Sequence, residues 1–165
     1  MYKKNGLVIV IKARKIILLA ALTIFLVCFC GCDNELLHKK KPFNFYYTNL
    51  LAESFVKEKV IKVSLIDTVY YKNYILNNSD ISVLKNFLIH LKKHNYINKP
   101  SNLPEKPMYR FFLTFSRKKF VLDVYNKNYV TVSPWDGYYP KDFLNITDIP
   151  SSCNPYNLGT HVIPR

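Results

Sequence analysis

The sequence predicts an α+β domain: an antiparallel β-sheet with one main amphipathic helix packed on one face, preceded by an N-terminal signal or anchor segment. Three observations predict it. Residues 109–132 contain three short runs of alternating apolar and polar side chains joined by tight turns, the pattern of an antiparallel meander. Residues 81–91 repeat apolar side chains at intervals of three and four, the period of a helix with one buried stripe. Residues 1–31 are first basic and then apolar, with a layout found nowhere else in the chain. With 49% hydrophobic and 15% aromatic residues in 165, there is enough apolar material for one compact core, which argues against disorder.

The first fifteen residues include Lys3, Lys4, Lys12, Arg14 and Lys15 and no acidic residue. An unbroken apolar run extends from Ile16 to Gly31. A positive end and an apolar stretch closed by a small residue is the layout of a secretory signal, and the Lys/Arg bias places the C-terminal domain outside the cytoplasm. The run is shorter than the roughly 20 residues that span a hydrocarbon core, so a removable signal is favoured over a permanent membrane helix. Without those five basic residues the formal charge of +13 falls to +8, still enough to attract anionic surfaces. Export removes nucleic acid from the expected partners.

The sequence Phe29-Cys30-Gly31-Cys32 at the end of the apolar run resembles the lipobox of bacterial lipoproteins, in which a small residue precedes the Cys that receives the lipid. On that resemblance Cys32 is acylated and becomes the first mature residue. The domain would then be held on the extracytoplasmic face of the cell membrane. Cys153 would be the one remaining thiol, so no intrachain disulfide would form and the core alone would hold the fold. The expected organisation is a signal peptide over 1–31, a tether with a short helix over 32–58, and the α+β domain over 59–165.

Within the tether, Lys39, Lys40 and Lys41 would either lie near anionic lipid, each contributing roughly 1 kcal/mol of attraction, or serve as a solubilising linker. Thr48 or Asn49 is placed to cap a short helix carrying Leu50, Leu51, Phe55 and Val56. From Val60 to Tyr70 the chain alternates, with Ile61, Val63 and Leu65 on one side, as a half-buried strand does. A second strand returns through Tyr74, Ile75 and Leu76. Asn78, Ser79 and Asp80 supply cap chemistry for the main helix, whose stripe is Ile81, Leu84, Leu88 and Leu91 with Phe87 beside it. Its last turn is expected to hold Lys92, Lys93 and His94. Pro100, Pro104 and Pro107 make the next stretch an extended loop. The meander then uses Tyr109–Phe115, Phe120–Tyr125 and Tyr129–Val132. From Pro134 onward periodicity fades, predicting irregular chain laid over the sheet and anchored by Trp135, Tyr138, Phe143 and Tyr156.

Chemistry-bearing motifs are sparse. No phosphate loop, dinucleotide fingerprint, zinc cluster or serine-hydrolase elbow occurs in the sequence, so no catalytic residue, metal or cofactor is assigned. His90 and His94 have the i, i+4 spacing that offers two imidazoles to one metal, but no third ligand stands nearby, and they read as surface histidines. Cys153 and His161 carry no hydrolase signature around them; Cys153 reads as a buried, inert thiol. The most suggestive segment is Ser133-Pro134-Trp135-Asp136-Gly137-Tyr138-Tyr139-Pro140. An Asp-Gly turn among aromatic rings presents Trp135, Tyr138 and Tyr139 to a partner, or folds Trp135 and Tyr139 back to seal the sheet edge, and sealing is the favoured reading.

Size, lipobox and element order resemble the small uncharacterised lipoproteins of low-GC Gram-positive bacteria, families known as domains of unknown function. The resemblance implies no activity, cofactor or catalytic residue. The expectation is a monomeric, non-enzymatic surface module. Its partners would be membrane lipid through Cys32 and a wall polymer or another surface protein. A small surface hydrolase and an accessory subunit of a membrane complex are the alternatives.

Overall fold

A computed structural model describes residues 40–163. Cys32, the signal segment and the first part of the expected tether, residues 32–39, lie outside them. The described residues build a seven-stranded, wholly antiparallel sheet and three α-helices, an α+β fold. Helix α1 spans Tyr46–Lys57 and leads into strand β1, Val60–Asp67, and the short strand β2, Asn73–Ile75. Helix α2 spans Asn78–His90, followed by the two-residue strand β3, Tyr96–Ile97. Strands β4, Tyr109–Phe115, β5, Lys119–Val124, and β6, Tyr129–Pro134, form the meander. Strand β7, Asp142–Asn145, and helix α3, Pro155–Val162, complete the fold. The strand order is β2-β1-β4-β5-β6-β7-β3.

Alternation decides which face is buried. Tyr109, Phe111, Leu113 and Phe115 of β4 pair across to Val124, Leu122 and Phe120 of β5 and to Val63 and Leu65 of β1, so one face is continuously apolar. All are at most 2% exposed. The helices cover this face with Tyr47 and Leu51 from α1, Leu84 and Phe87 from α2, and Leu158 from α3. A parallel arrangement would have needed crossover helices between successive strands; the tight turns permit only the antiparallel one. At the β5–β6 turn the Asn126 side chain accepts from the amides of Asn128, at 2.8 Å, and Tyr129, at 2.9 Å.

Several expectations are corrected. Helix α1 begins at Tyr46, so Thr48 and Asn49 are inside it, and the N-cap Phe45 supplies no side-chain bond. The residues from Lys40 onward form one compact unit that includes this helix. Val56, one of the apolar residues this helix carries, is 84% exposed. In β1 the pairing of Val60 with Phe115 and of Lys62 with Thr114 leaves Ile61 as the extra residue of a β-bulge. Val60, rather than Ile61, therefore shares the core side with Val63 and Leu65.

Helix α2 starts as expected, one residue shifted: Asn77 is the cap, accepting from the Asp80 amide, and Asp80 returns the bond to the Asn77 amide. It stops at His90, so Lys92, Lys93 and His94 are not in its last turn; residues 93–95 form a separate 3-10 turn. The C-terminal stretch is not irregular. It supplies β7, which pairs with both β6 and β3, and then α3. Asn154 caps α3 by accepting from the Tyr156 amide at 2.9 Å, with Pro155 in the first turn.

Candidate functional site

The β6–β7 connection, residues 135–141, is where the sequence-predicted aromatic residues meet. Its two ends are fixed by the sheet: the Trp135 amide extends the ladder to the Lys119 carbonyl at 3.0 Å, and Asp142 begins β7. Between them the chain approaches α1 closely. A Cβ on Gly137 would sit 2.8 Å from both Pro134 Cγ and Tyr47 Oη, so this position is reserved for glycine by proximity, since its φ is not positive.

The three aromatic residues part company here. The Tyr139 amide donates to Tyr47 Oη at 2.7 Å, and its ring meets Tyr46 edge-on with centroids 5.5 Å apart. It belongs to the packing between the turn and α1. Trp135 and Tyr138 remain 65% and 80% exposed. The Trp135 ring leans on Phe112 on the sheet face away from the helices, at 5.5 Å between centroids; β4 is an inner strand, so this ring does not seal the edge as favoured from the sequence. Beside it lies a groove of about 440 Å³ between the β4–β5 hairpin and Leu50 of α1, bordered by Arg117, Lys118 and Lys119. Glu58 holds that hairpin in place, accepting from the Arg117 amide at 2.9 Å and from Ser116 Oγ at 3.3 Å.

On the other side of the turn, the segment Lys40–Asn44 joins the residues after β3 and the start of β7 around a second groove, of about 530 Å³, bordered by Lys40, Phe43, Lys99 and Phe143. Lys41 is committed inward: its ammonium pairs with the fully buried Asp142 and donates to the Pro140 carbonyl at 3.0 Å. It is therefore not one of three lysines reaching toward lipid. Tyr96 of β3, packed beside Phe45, is held protonated up to about 12, chiefly by burial and then by the negative Asp142, with a partial offset from a bond to Thr48.

Among the described residues, the sheet face away from the helices carries an ionic cluster. Asp123, 1% exposed, accepts from Arg110 Nε at 2.5 Å and Lys141 Nζ at 2.6 Å, and this carboxylate holds the guanidinium above its ordinary range. Cys153 is buried, with Ser152 Oγ 3.8 Å from its sulfur, while His161 is exposed on α3. His90 Nδ1 donates to the Asn86 carbonyl at 2.7 Å. His94 Nε2 sits 2.7 Å from Asp148, whose carboxyl is lowered first by His94 and then by Asn95. The two histidines therefore have separate partners and do not share a helix. Among the described residues no group of three His, Cys, Asp or Glu side chains is placed to hold a metal, and no helix is long and apolar enough to cross a membrane.

Sequence reasoning did not foresee Lys99, Arg117, Lys118 or Lys119 as neighbours of the aromatic turn. The β4–β5–β6 meander sets the hairpin residues beside the turn, while Lys99 arrives through β3 and β7, which left no periodic signal in the sequence.

A family model described as a domain of unknown function, DUF4883, matches residues 41–159. A crystal structure described as a putative lipoprotein from Clostridium perfringens is 32% identical over 76% of this chain and 100% of its own, with a TM-score of 0.68. No curated protein matches the chain.

Proposed function

The chain belongs to the DUF4883 family, and on that premise we propose that it is a lipid-anchored protein of the outer face of the cell membrane, acting through binding rather than catalysis. The observation that carries the reading is the Gly31-Cys32 pair closing a basic-then-apolar leader. The Clostridium perfringens chain, similar over its whole length, supports it. Cys32 bears the lipid, residues 1–31 are the signal peptide, and the segment up to Lys40 is the tether.

Binding falls to the β6–β7 turn, where Trp135 and Tyr138 offer flat, exposed faces and Tyr139 fixes the turn to α1. A non-enzymatic role is supported by the charge pairing at Asp123 and Asp142, where each carboxylate is already engaged by cations of the chain. The test is mass spectrometry of the N-terminal peptide from cells grown with and without globomycin. A diacylglyceryl group on Cys32, with signal cleavage blocked by the drug, is expected; an unmodified, uncleaved N-terminus would overturn the reading.

A further inference from the structure

The end of the sheet at which the chain enters the domain carries exposed cations or exposed aromatic rings on its hairpin, its aromatic turn, the segment after β3 and the joining segment. In the antiparallel register, the C-terminal ends of β4, β6 and β3 and the N-terminal ends of β5 and β7 all lie at this end. It therefore holds the hairpin residues Arg117, Lys118 and Lys119, the turn with Trp135 and Tyr138, and Lys99 after β3, all exposed. The joining segment adds Lys40 with Phe43 and Phe45, which are 38% and 37% exposed. Two of the carboxylates nearby are occupied: Asp142 by Lys41 and Thr48, and Glu58 by the hairpin.

We propose that this end is a membrane-docking surface, resting on the anionic phospholipid headgroups of the membrane that carries the anchor. The proposal rests on the lipid-anchor reading and names the partner of the aromatic turn. Three features select lipid. First, seven residues lie between Cys32 and Lys40, at most about 28 Å of extended chain, so the anchor holds this end close to the surface. Second, the exposed charge is net positive, Lys40, Lys99, Arg117, Lys118 and Lys119 outweighing Asp136 of the turn, which is the sign that anionic headgroups attract. Third, Trp, Tyr and Phe beside lysines are the side chains that settle at the interface between headgroups and acyl chains. The groups are spread over three loops at one end, as a flat surface requires.

The test uses purified residues 40–165. This fragment contains the entire described core, is one compact unit, and includes residues 41–159 matched by the family. It lacks Cys32, so its behaviour is independent of acylation. The probes are vesicles of phosphatidylcholine alone and of phosphatidylcholine with phosphatidylglycerol. Trp135 is the one tryptophan of the chain, so fluorescence reports on the turn directly. The fragment is expected to sediment with the phosphatidylglycerol vesicles, to release as salt rises, and to shift its emission to the blue on binding. The variant K99E/K118E/K119E should lose about tenfold or more of its partition. The control K72E/K106E, altered at other turns, should keep it, with circular dichroism confirming that both fold. Absent binding, equal binding to both vesicle types, unshifted emission, or equal losses in the two variants would overturn the docking surface. So would a photocrosslinker at position 138 capturing a protein in intact cells. An unlipidated N-terminus in cells, with vesicle binding intact, would instead overturn the anchor alone.

Discussion

Asp142 Oδ2 accepts from both the backbone amide and the hydroxyl of Thr48, at 2.6 and 2.8 Å, across 94 residues of sequence. Thr48 is the third residue of α1, whose own cap position, Phe45, offers no side-chain acceptor. A carboxylate on β7 thus takes the part that a local Ser or Asp plays at other helix starts, and meets the positive end of the helix dipole. Replacing Asp142 by Ala removes the cap and strands the Lys41 ammonium. The expected loss is about 3 kcal/mol, read as a lower urea midpoint at constant slope. Thr48→Val keeps the amide bond and should cost about 1 kcal/mol. Equal losses would show that the amide, and with it the helix start, gains nothing from Asp142.

Gly159 of α3 faces the ring of the fully buried Tyr109: a Cβ there would lie 2.6 Å from Cδ2 and 2.8 Å from Cγ. Ala is the better helix former by about 1 kcal/mol, so propensity alone predicts stabilisation by Gly159→Ala. The Tyr109 ring sits in the sheet core and cannot retreat, so overpacking of about 1–3 kcal/mol should win and the urea midpoint should fall. A rise would mean that α3 can slide away from the sheet.

These two contacts also mark where sequence reading stops. The strands β4, β5 and β6 and the start of α2 are legible because each pattern is local: alternation over six or seven residues, or Asn77 reaching Asp80. The bulge at Ile61, the strand β3 and the cap at Thr48 depend on partners elsewhere in the chain, and a two-residue strand has no period to detect. Helix α3 is an exception, since Asn154-Pro155 is a local start signal that the density of Pro and Asn around it disguises as loop. The candidate site shows the same division. Trp135 and Tyr138 are visible as an aromatic turn, while the lysines of the same sheet end come from three separate segments.

Alkaline pH should destabilise the fold partly through Tyr96. Its folded-state value is raised to about 12 from 10.0, chiefly by burial, and Tyr47 is raised in the same direction for the same first cause. Between the unfolded and folded values of Tyr96 the unfolded chain has released the phenolic proton while the folded chain keeps it. This contribution is complete below about pH 10 and is lost as pH rises through the folded value. Wild type should therefore lose more melting temperature between about pH 9 and pH 11 than Tyr96→Phe does. Parallel decline in the two proteins would show that other groups carry the whole effect.

The aromatic turn should divide under mutation into a structural half and an exposed half. Tyr47 Oη accepts from the Tyr139 amide at 2.7 Å, and Tyr47 itself is 3% exposed. Tyr47→Phe keeps the buried ring and deletes only the oxygen, leaving a partly buried amide without that acceptor. A loss of about 1–2 kcal/mol is expected. Trp135 touches Phe112 with one side of a ring that is 65% exposed, so Trp135→Ala removes little buried area and should change stability by less than about 0.5 kcal/mol. Urea titrations of the two variants, monitored by far-ultraviolet circular dichroism, measure the difference. Because Trp135→Ala leaves the fold standing, any binding it abolishes belongs to the ring; if it unfolds the protein as Tyr47→Phe is expected to weaken it, the ring is part of the core and the turn is not a binding surface.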